Sequence, residues 1–150
     1  MSAIGDRAVA EFAVEEARRW IGTPYRHQAS MLGAGTDCLG LVRGVWRAIY
    51  GGEPEVIPAY SPDWSEARGE ERLWRAAMRN LVPGEPDGVG QVILFRMLDG
   101  AVAKHLGISA QKAGRETFIH AYSGHGVRES ALTGPWARRV VARFSFPEGI

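Results

Sequence analysis

The chain contains a single cysteine, Cys38, within Gly35-Thr36-Asp37-Cys38-Leu39-Gly40-Leu41-Val42. A glycine-rich stretch gives way there to an apolar, helically spaced segment, which puts the thiol in the first turn of a helix. The free amides and the positive dipole end of a helix start favour an anion. Thiolate is the nucleophilic form of cysteine, and a helix N-terminus is one of the settings that lower a thiol pKa. Far downstream, His105 and His120 each fall inside a strand-like run. A cysteine before a helix and two histidines on later strands supply a nucleophile, a base and a group to orient the base. The chemistry they suggest is thiol hydrolysis.

Alternation along a strand gives His105 a face shared with Ala103, Gly107 and Ser109, and puts Val102, Lys104, Leu106 and Ile108 on the other. Small neighbours leave room for a group to approach His105. In the next strand Phe118, His120 and Tyr122 share a face. A short turn between these strands makes the two histidines cross-strand neighbours, and the helix beginning at Cys38 is then expected on that same face. His105 takes the Cys38 proton, or holds a thiolate–imidazolium pair, and later protonates the leaving amine. His120 orients His105. Amides at the start of the cysteine helix suit a tetrahedral oxyanion, and Tyr25 adds a hydroxyl donor. Asp37 joins this oxyanion and substrate-binding set, although its type also suits a helix cap. Each residue alone has a plainer reading, since a lone cysteine is often a small buried hydrophobe. His27 and His125 read as solvated loop residues, and Trp46, Trp64, Trp74 and Trp136 as packing. It is the combination that argues for catalysis.

The elements that must hold these groups fall in two blocks. Asp6 caps a first helix running to about Trp20, with Val9, Phe12, Ala13, Ala17 and Trp20 as its apolar stripe. Gly22-Thr23-Pro24 ends it. The cysteine helix carries Leu39, Val42, Trp46 and Ile49 and stops at Gly51-Gly52. A third helix is expected from Asp63, with Glu66 completing a capping box and Leu73, Trp74, Ala77, Met78 and Leu81 buried. From Pro83 the pattern changes to strands at 92–97, 102–110 and 117–122, with turns at 98–100 and 111–115. A loop and a short helix near 131–136 precede a last strand at 140–146, whose Val140, Ala142, Phe144 and Phe146 share a face. Helices followed by a meander make an α+β plan in one domain spanning 1–150.

At 150 residues, 45% hydrophobic and 23% charged, the chain is long enough for a real core. Eighteen Lys and Arg against seventeen Asp and Glu leave a net charge of +1, which gives no electrostatic case for nucleic acid. No run approaches the length of a membrane span. The first residues lack the basic start and apolar run of a secretory signal, so synthesis in the cytoplasm is expected.

Thr23-Pro24-Tyr25, Thr36 to Val42, Lys104-His105-Leu106-Gly107-Ile108 and Phe118-Ile119-His120-Ala121 together resemble the NlpC-type cell-wall peptidases, in order and spacing, over about residues 8–122. The resemblance implies a papain-like fold that hydrolyses peptidoglycan stem peptides, commonly between γ-D-glutamate and the diamino acid. It implies Cys38 as nucleophile, His105 as base, His120 as the polar third member and Tyr25 beside the nucleophile, with no cofactor. Leu39 stands where many members have serine, a change typical of versions in phage and gene-transfer-agent tail clusters. Gly90-Gln91 replaces the Gly-Asp pair that usually opens the first strand. On this resemblance the partners are a peptidoglycan peptide and phage-like tail proteins, and the enzyme is carried to the wall by a particle. Three other readings use the same residues. One is an acyltransferase or amidase with the same thioester chemistry, and another is a catalytically silent structural tail protein. The third is a zinc site built from Cys38, His105, His120 and His125.

Overall fold

The computed structural model describes residues 3–55, 71–98 and 100–147. Its elements, in order, are α1 (Ala3–Arg19), β1 (Ser30–Met31), β2 (Gly35–Thr36), α2 (Cys38–Tyr50), α3 (Arg72–Asn80), β3 (Val82–Pro83), β4 (Gln91–Phe95), β5 (His105–Lys112), β6 (Arg115–Tyr122), β7 (Gly126–Ala131), α4 (Gly134–Arg138) and β8 (Val140–Ser145). Helices α1 to α3 cover one face of a six-stranded antiparallel sheet, so the α+β plan holds. Among the described residues no helix is long and apolar enough to cross a membrane.

Helix α2 begins where the sequence places it because Asp37 is its N-cap, and it ends on Gly51 in the left-handed conformation. Leu41, Val42, Val45 and Trp46 form its buried side. Gly44 faces Trp20, the residue just after α1, so closely that a Cβ there would lie 2.1 Å from the indole. Ala13 and Ala17 of α1 are buried together with Trp20, but Phe12 is 40% exposed, one residue off the stripe. The same offset exposes Met78 on α3, while Leu73 and Ala77, one turn apart, are buried. The start proposed at Asp63 and Glu66 lies outside the described residues.

The sheet order is β3-β8-β4-β5-β6-β7. A plain meander is therefore wrong: the last strand returns to sit between β3 and β4. The sequence also passes over β7, which pairs with β6 from Thr117↔Ala131 to Tyr122↔Gly126. Strand β4 ends at Phe95 and β5 starts at His105, so the link between them is longer than the hairpin turn expected at 98–100. The β5–β6 turn is tighter than expected, with Ala113 and Gly114 both at positive φ (55° and 77°) between the paired residues Lys112 and Arg115.

Two apolar clusters fill the sheet's faces. Leu94, Leu106, Ile108, Ile119, Ala121 and Phe144 face the helices. Ile93, Phe95, Phe118 and Leu132 occupy the other face, joined by Trp136 from α4. A register shift between Leu94 and Phe95, which pair with Ala142 and Val140, moves Val140 to this second face. Val140 thus departs from the face it was expected to share with Ala142, Phe144 and Phe146. The approach of α1 to α2 gives a direct test. Gly44→Ala should overpack the Trp20 contact and lower stability by about 1–3 kcal/mol in urea denaturation.

Candidate active site

Asp37 fixes the start of α2 with both carboxylate oxygens. Oδ1 accepts the Gly40 N–H at 2.7 Å, and Oδ2 accepts the Gln28 N–H at 2.8 Å. The second bond ties the preceding loop to the helix and holds Gln28 at a positive φ of 66°. Gly40 lets that loop approach, since a Cβ there would meet the Ala29 carbonyl oxygen at 2.0 Å. Asp37 is buried and both its carboxylate oxygens accept backbone amides, so it serves as the cap and offers an oxyanion no donor.

Cys38 follows the cap as the first residue of α2 and is half-buried. Its Sγ lies 3.7 Å from the carbonyl oxygen of Lys104, the residue before His105. Although the helix start lowers thiol pKa values in general, burial pushes this thiol up to about 12, and the Asp37 charge adds to the rise. Backbone hydrogen bonding from Leu106, Leu39 and Cys38 pulls the other way without prevailing. The expectation of a lowered pKa is corrected here: desolvation outweighs the helix terminus.

The histidines lie on the face opposite α2, not on the helix face as the strand pattern had required. The His105 ring is 5.6 Å from that of Phe95 in the second cluster, whereas Leu106 and Ile108 face the helices. Cysteine and histidine strand meet instead at the end of the sheet, where α2 begins and β5 starts. Ladder pairing between β5 and β6 runs only from Ile108↔Ile119 to the turn. In the unpaired stretch His105 Nε2 and His120 Nδ1 stand 2.8 Å apart, in hydrogen-bond contact. Ala103, grouped by alternation with His105, precedes the strand and belongs to the helix-side core. Among the described residues, the Cys38 thiol makes no hydrogen bond to either imidazole; its contact is with the backbone beside His105.

Both rings are held neutral. Burial, then His120, takes His105 down to about 3. Burial, then Arg128 and His125, takes His120 down to about 4. Tyr25 is half-buried, and its backbone forms a bridge with Thr36 at the end of the loop leading to Asp37. Burial, then Cys38 and Asp37, raises its phenol to about 12, so the hydroxyl is a protonated donor electrostatically linked to the thiol.

Two residues were missed. Ser130 of β7 places Oγ 3.0 Å from His120 Nε2, a contact invisible until β7 is recognised as a strand. Trp136, read as packing, lies over both histidines, with ring centroids 5.5 Å from His105 and 5.0 Å from His120. The only signal in the sequence was an aromatic residue shortly after a proline-led helix start. His125 stacks on Tyr122 at 5.2 Å. Among the described residues no three His, Cys, Asp or Glu side chains gather as metal ligands.

Helices on one face of an antiparallel sheet, a cysteine opening a helix and histidines on adjacent strands define a papain-like α+β domain. The chain belongs to the NlpC/P60 family, whose model matches residues 22–145. Its fold is that of NlpC/P60 peptidoglycan hydrolases. The NlpC/p60 domain of the peptidoglycan hydrolase SagA superposes with a TM-score of 0.58 at 20% identity, over 91% of this chain and 98% of that one. A protein similar to a lipoprotein, of the NLP/P60 family, from Staphylococcus aureus subsp. aureus Mu50 gives 0.57 at 17% identity over 92% of this chain. Ly7917 gives 0.54 at 18% identity over 93% of this chain. The chain spans 41% of the staphylococcal protein and 63% of Ly7917. No curated protein matches it.

Two pH dependences follow. Thiolate is scarce at neutral pH, so alkylation of Cys38 by iodoacetamide should accelerate about tenfold per pH unit from 9 toward 12. A fast, pH-independent rate near neutrality would indicate a thiolate–imidazolium pair instead. His120 holds protons less readily when folded than at its ordinary value of 6.5. As pH falls below 6.5 the unfolded chain gains protons first, so the stability due to neutral His120 is lost down through about 4. The stability difference between wild type and His120→Gln, from urea unfolding, should accordingly narrow across that range.

Proposed function

We propose that this protein is a cysteine peptidase that hydrolyses peptide bonds in bacterial peptidoglycan stem peptides, as a γ-D-glutamyl–diamino acid endopeptidase. The observation that carries the reading is the buried contact between His105 Nε2 and His120 Nδ1, beside a helix-start cysteine. That contact leaves His105 Nδ1 as the ring nitrogen for catalysis. Cys38 gives its proton to this nitrogen as Sγ attacks the peptide carbonyl. Amides at the start of α2 and the Tyr25 hydroxyl receive the oxyanion. The new imidazolium then protonates the leaving amine, and the C–N bond breaks to leave a thioester. Water, deprotonated by His105, releases the acid and restores the thiol.

Similar solved proteins support a wall substrate. One is a peptidoglycan hydrolase domain, and Ly7917 was also solved with the hydrolysing product of MDP. The reading extends to the setting, a phage or gene-transfer-agent tail whose enzyme acts at the wall with neighbouring tail proteins. What motivates it is the sequence resemblance at Leu39, which stands where many family members carry serine.

The deciding experiment is digestion of purified peptidoglycan by wild type and Cys38→Ala, with released fragments identified by mass spectrometry. Peptide fragments with new termini from wild type alone are expected, and the termini identify the bond. No release by either folded protein would overturn the peptidase reading in favour of acyl transfer or a structural tail role. On the same substrate, His105→Ala should abolish turnover while His120→Ala leaves measurable activity. Tyr25→Phe should lower the rate by roughly 10²–10³. Equal, complete loss in both histidine variants would contradict an orienting role for His120.

A further inference from the structure

We propose that Ser130 is a positioning residue that sets the direction of the hydrogen-bond chain His105–His120–Ser130, and so keeps His105 in the tautomer able to accept a proton. The inference rests on the hydrolase reading for its catalytic consequence, but its structural half stands on contacts alone. His105 Nε2 meets His120 Nδ1 at 2.8 Å, and His120 Nε2 meets Ser130 Oγ at 3.0 Å. Each imidazole is buried, His120 to within 1%. Trp136 packs against both rings, tilted to His105 and edge-on to His120.

A neutral imidazole has one N–H and one acceptor nitrogen, so the chain can run in only two senses. In the first, His105 Nε2–H donates to His120 Nδ1, and His120 Nε2–H donates to Ser130 Oγ. His105 Nδ1 then carries a lone pair, free to take the thiol proton. In the second, Ser130 donates to His120 Nε2, His120 Nδ1–H donates to His105 Nε2, and His105 Nδ1 is already protonated. Only the first sense leaves a base.

Hydrolysis through His105 requires that first sense. Arg128, paired with His120 across the β6–β7 ladder, disfavours an imidazolium at His120, so each ring carries one proton and the chain runs in a single sense. Ser130 is diagonal to His120 on the same face, since Phe118 pairs with Ser130 and His120 with Arg128. The serine is only half-buried, so its hydroxyl can accept from His120 and give its own hydrogen to water. When the thiol proton arrives, the S–H bond breaks and an Nδ1–H bond forms on His105. The Nε2–H to His120 is already in place to hold the imidazolium, and no proton need move further along the chain.

The test is nitrogen NMR of histidine-labelled free protein, wild type, Ser130→Ala and Ser130→Thr, followed by hydrolysis kinetics on purified peptidoglycan. Wild type and the threonine variant should show His105 and His120 protonated at Nε2. The alanine variant should show a mixture that includes the Nδ1–H form of His105. Ser130→Ala should lower kcat by roughly ten- to a hundredfold at unchanged KM, the scale typical of outer hydrogen-bond partners of functional histidines, and Ser130→Thr should restore it. An Nδ1–H form of His105 in wild type would overturn the proposal. So would an alanine variant with the wild-type tautomers, or a threonine variant no better than alanine. Should wild type fail to cleave the wall material, the hydrolase reading falls, while the tautomers still decide the direction of the chain.

Discussion

The Asp37 carboxylate is the constraint on which the site depends. One oxygen closes the first turn of α2 and the other seizes the backbone of the loop before it, so helix start and loop are fixed as one unit. Cys38 is the next residue, and its position follows from that clasp. The same carboxylate sets the electrostatics. A helix start would ordinarily favour thiolate, but a buried anion one residue away opposes this and adds to desolvation. Burial leaves the thiol, the two imidazoles and the phenol uncharged at rest beside that carboxylate. Charge has to be created during reaction rather than stored beforehand.

A neutral resting state suits a site assembled from two faces of a sheet. The cysteine arrives from the helix side, and the histidines lie on the far side among aromatic rings. They meet only where β5 and β6 have not yet begun to pair, beyond Ile108↔Ile119. In a fully zipped ladder, backbone hydrogen bonds would fill that gap. Opening the ladder gives the His105 and His120 rings room to bond each other and brings the thiol to the backbone beside His105. Gly107 helps keep the opening tight: a Cβ there would fall 2.9 Å from the Phe118 ring.

Much of this was legible in the sequence because it is local. The Asp37 cap, the helix from Cys38 and its stop at Gly51 are read from neighbouring residues, as is the alternation that separates His105 from Leu106. Residue type and strand alternation picked out Cys38, His105, His120 and Tyr25, and the family resemblance assigned them the same roles. What escaped depends on distant pairing. Nothing local in Gly126–Ala131 announces a strand, since its Gly-Val-Arg-Glu-Ser-Ala run lacks clean alternation, and it is pairing with β6 that makes it one. Missing β7 concealed Ser130, and reading Trp136 as packing concealed its place against the two histidines. The opposite-face placement of the histidines was also out of reach, because alternation tells which residues share a face but not which face a helix will cover. The pKa error has a similar origin: capping is local, whereas desolvation needs the whole packed site.

The strand order has one more consequence. The segment 126–147 follows the short motifs that carry the cysteine and histidines, yet it supplies the last partner of His120, an indole packed against both rings and the strand wedged between β3 and β4. Because β8 pairs with β4, and β4 with β5, the sheet that presents His105 is not complete until β8 has docked. Such long-range closure is slow and highly cooperative. The cysteine and both histidines are thus not enclosed together until that pairing is made, and local order around each of them is not enough to assemble the site.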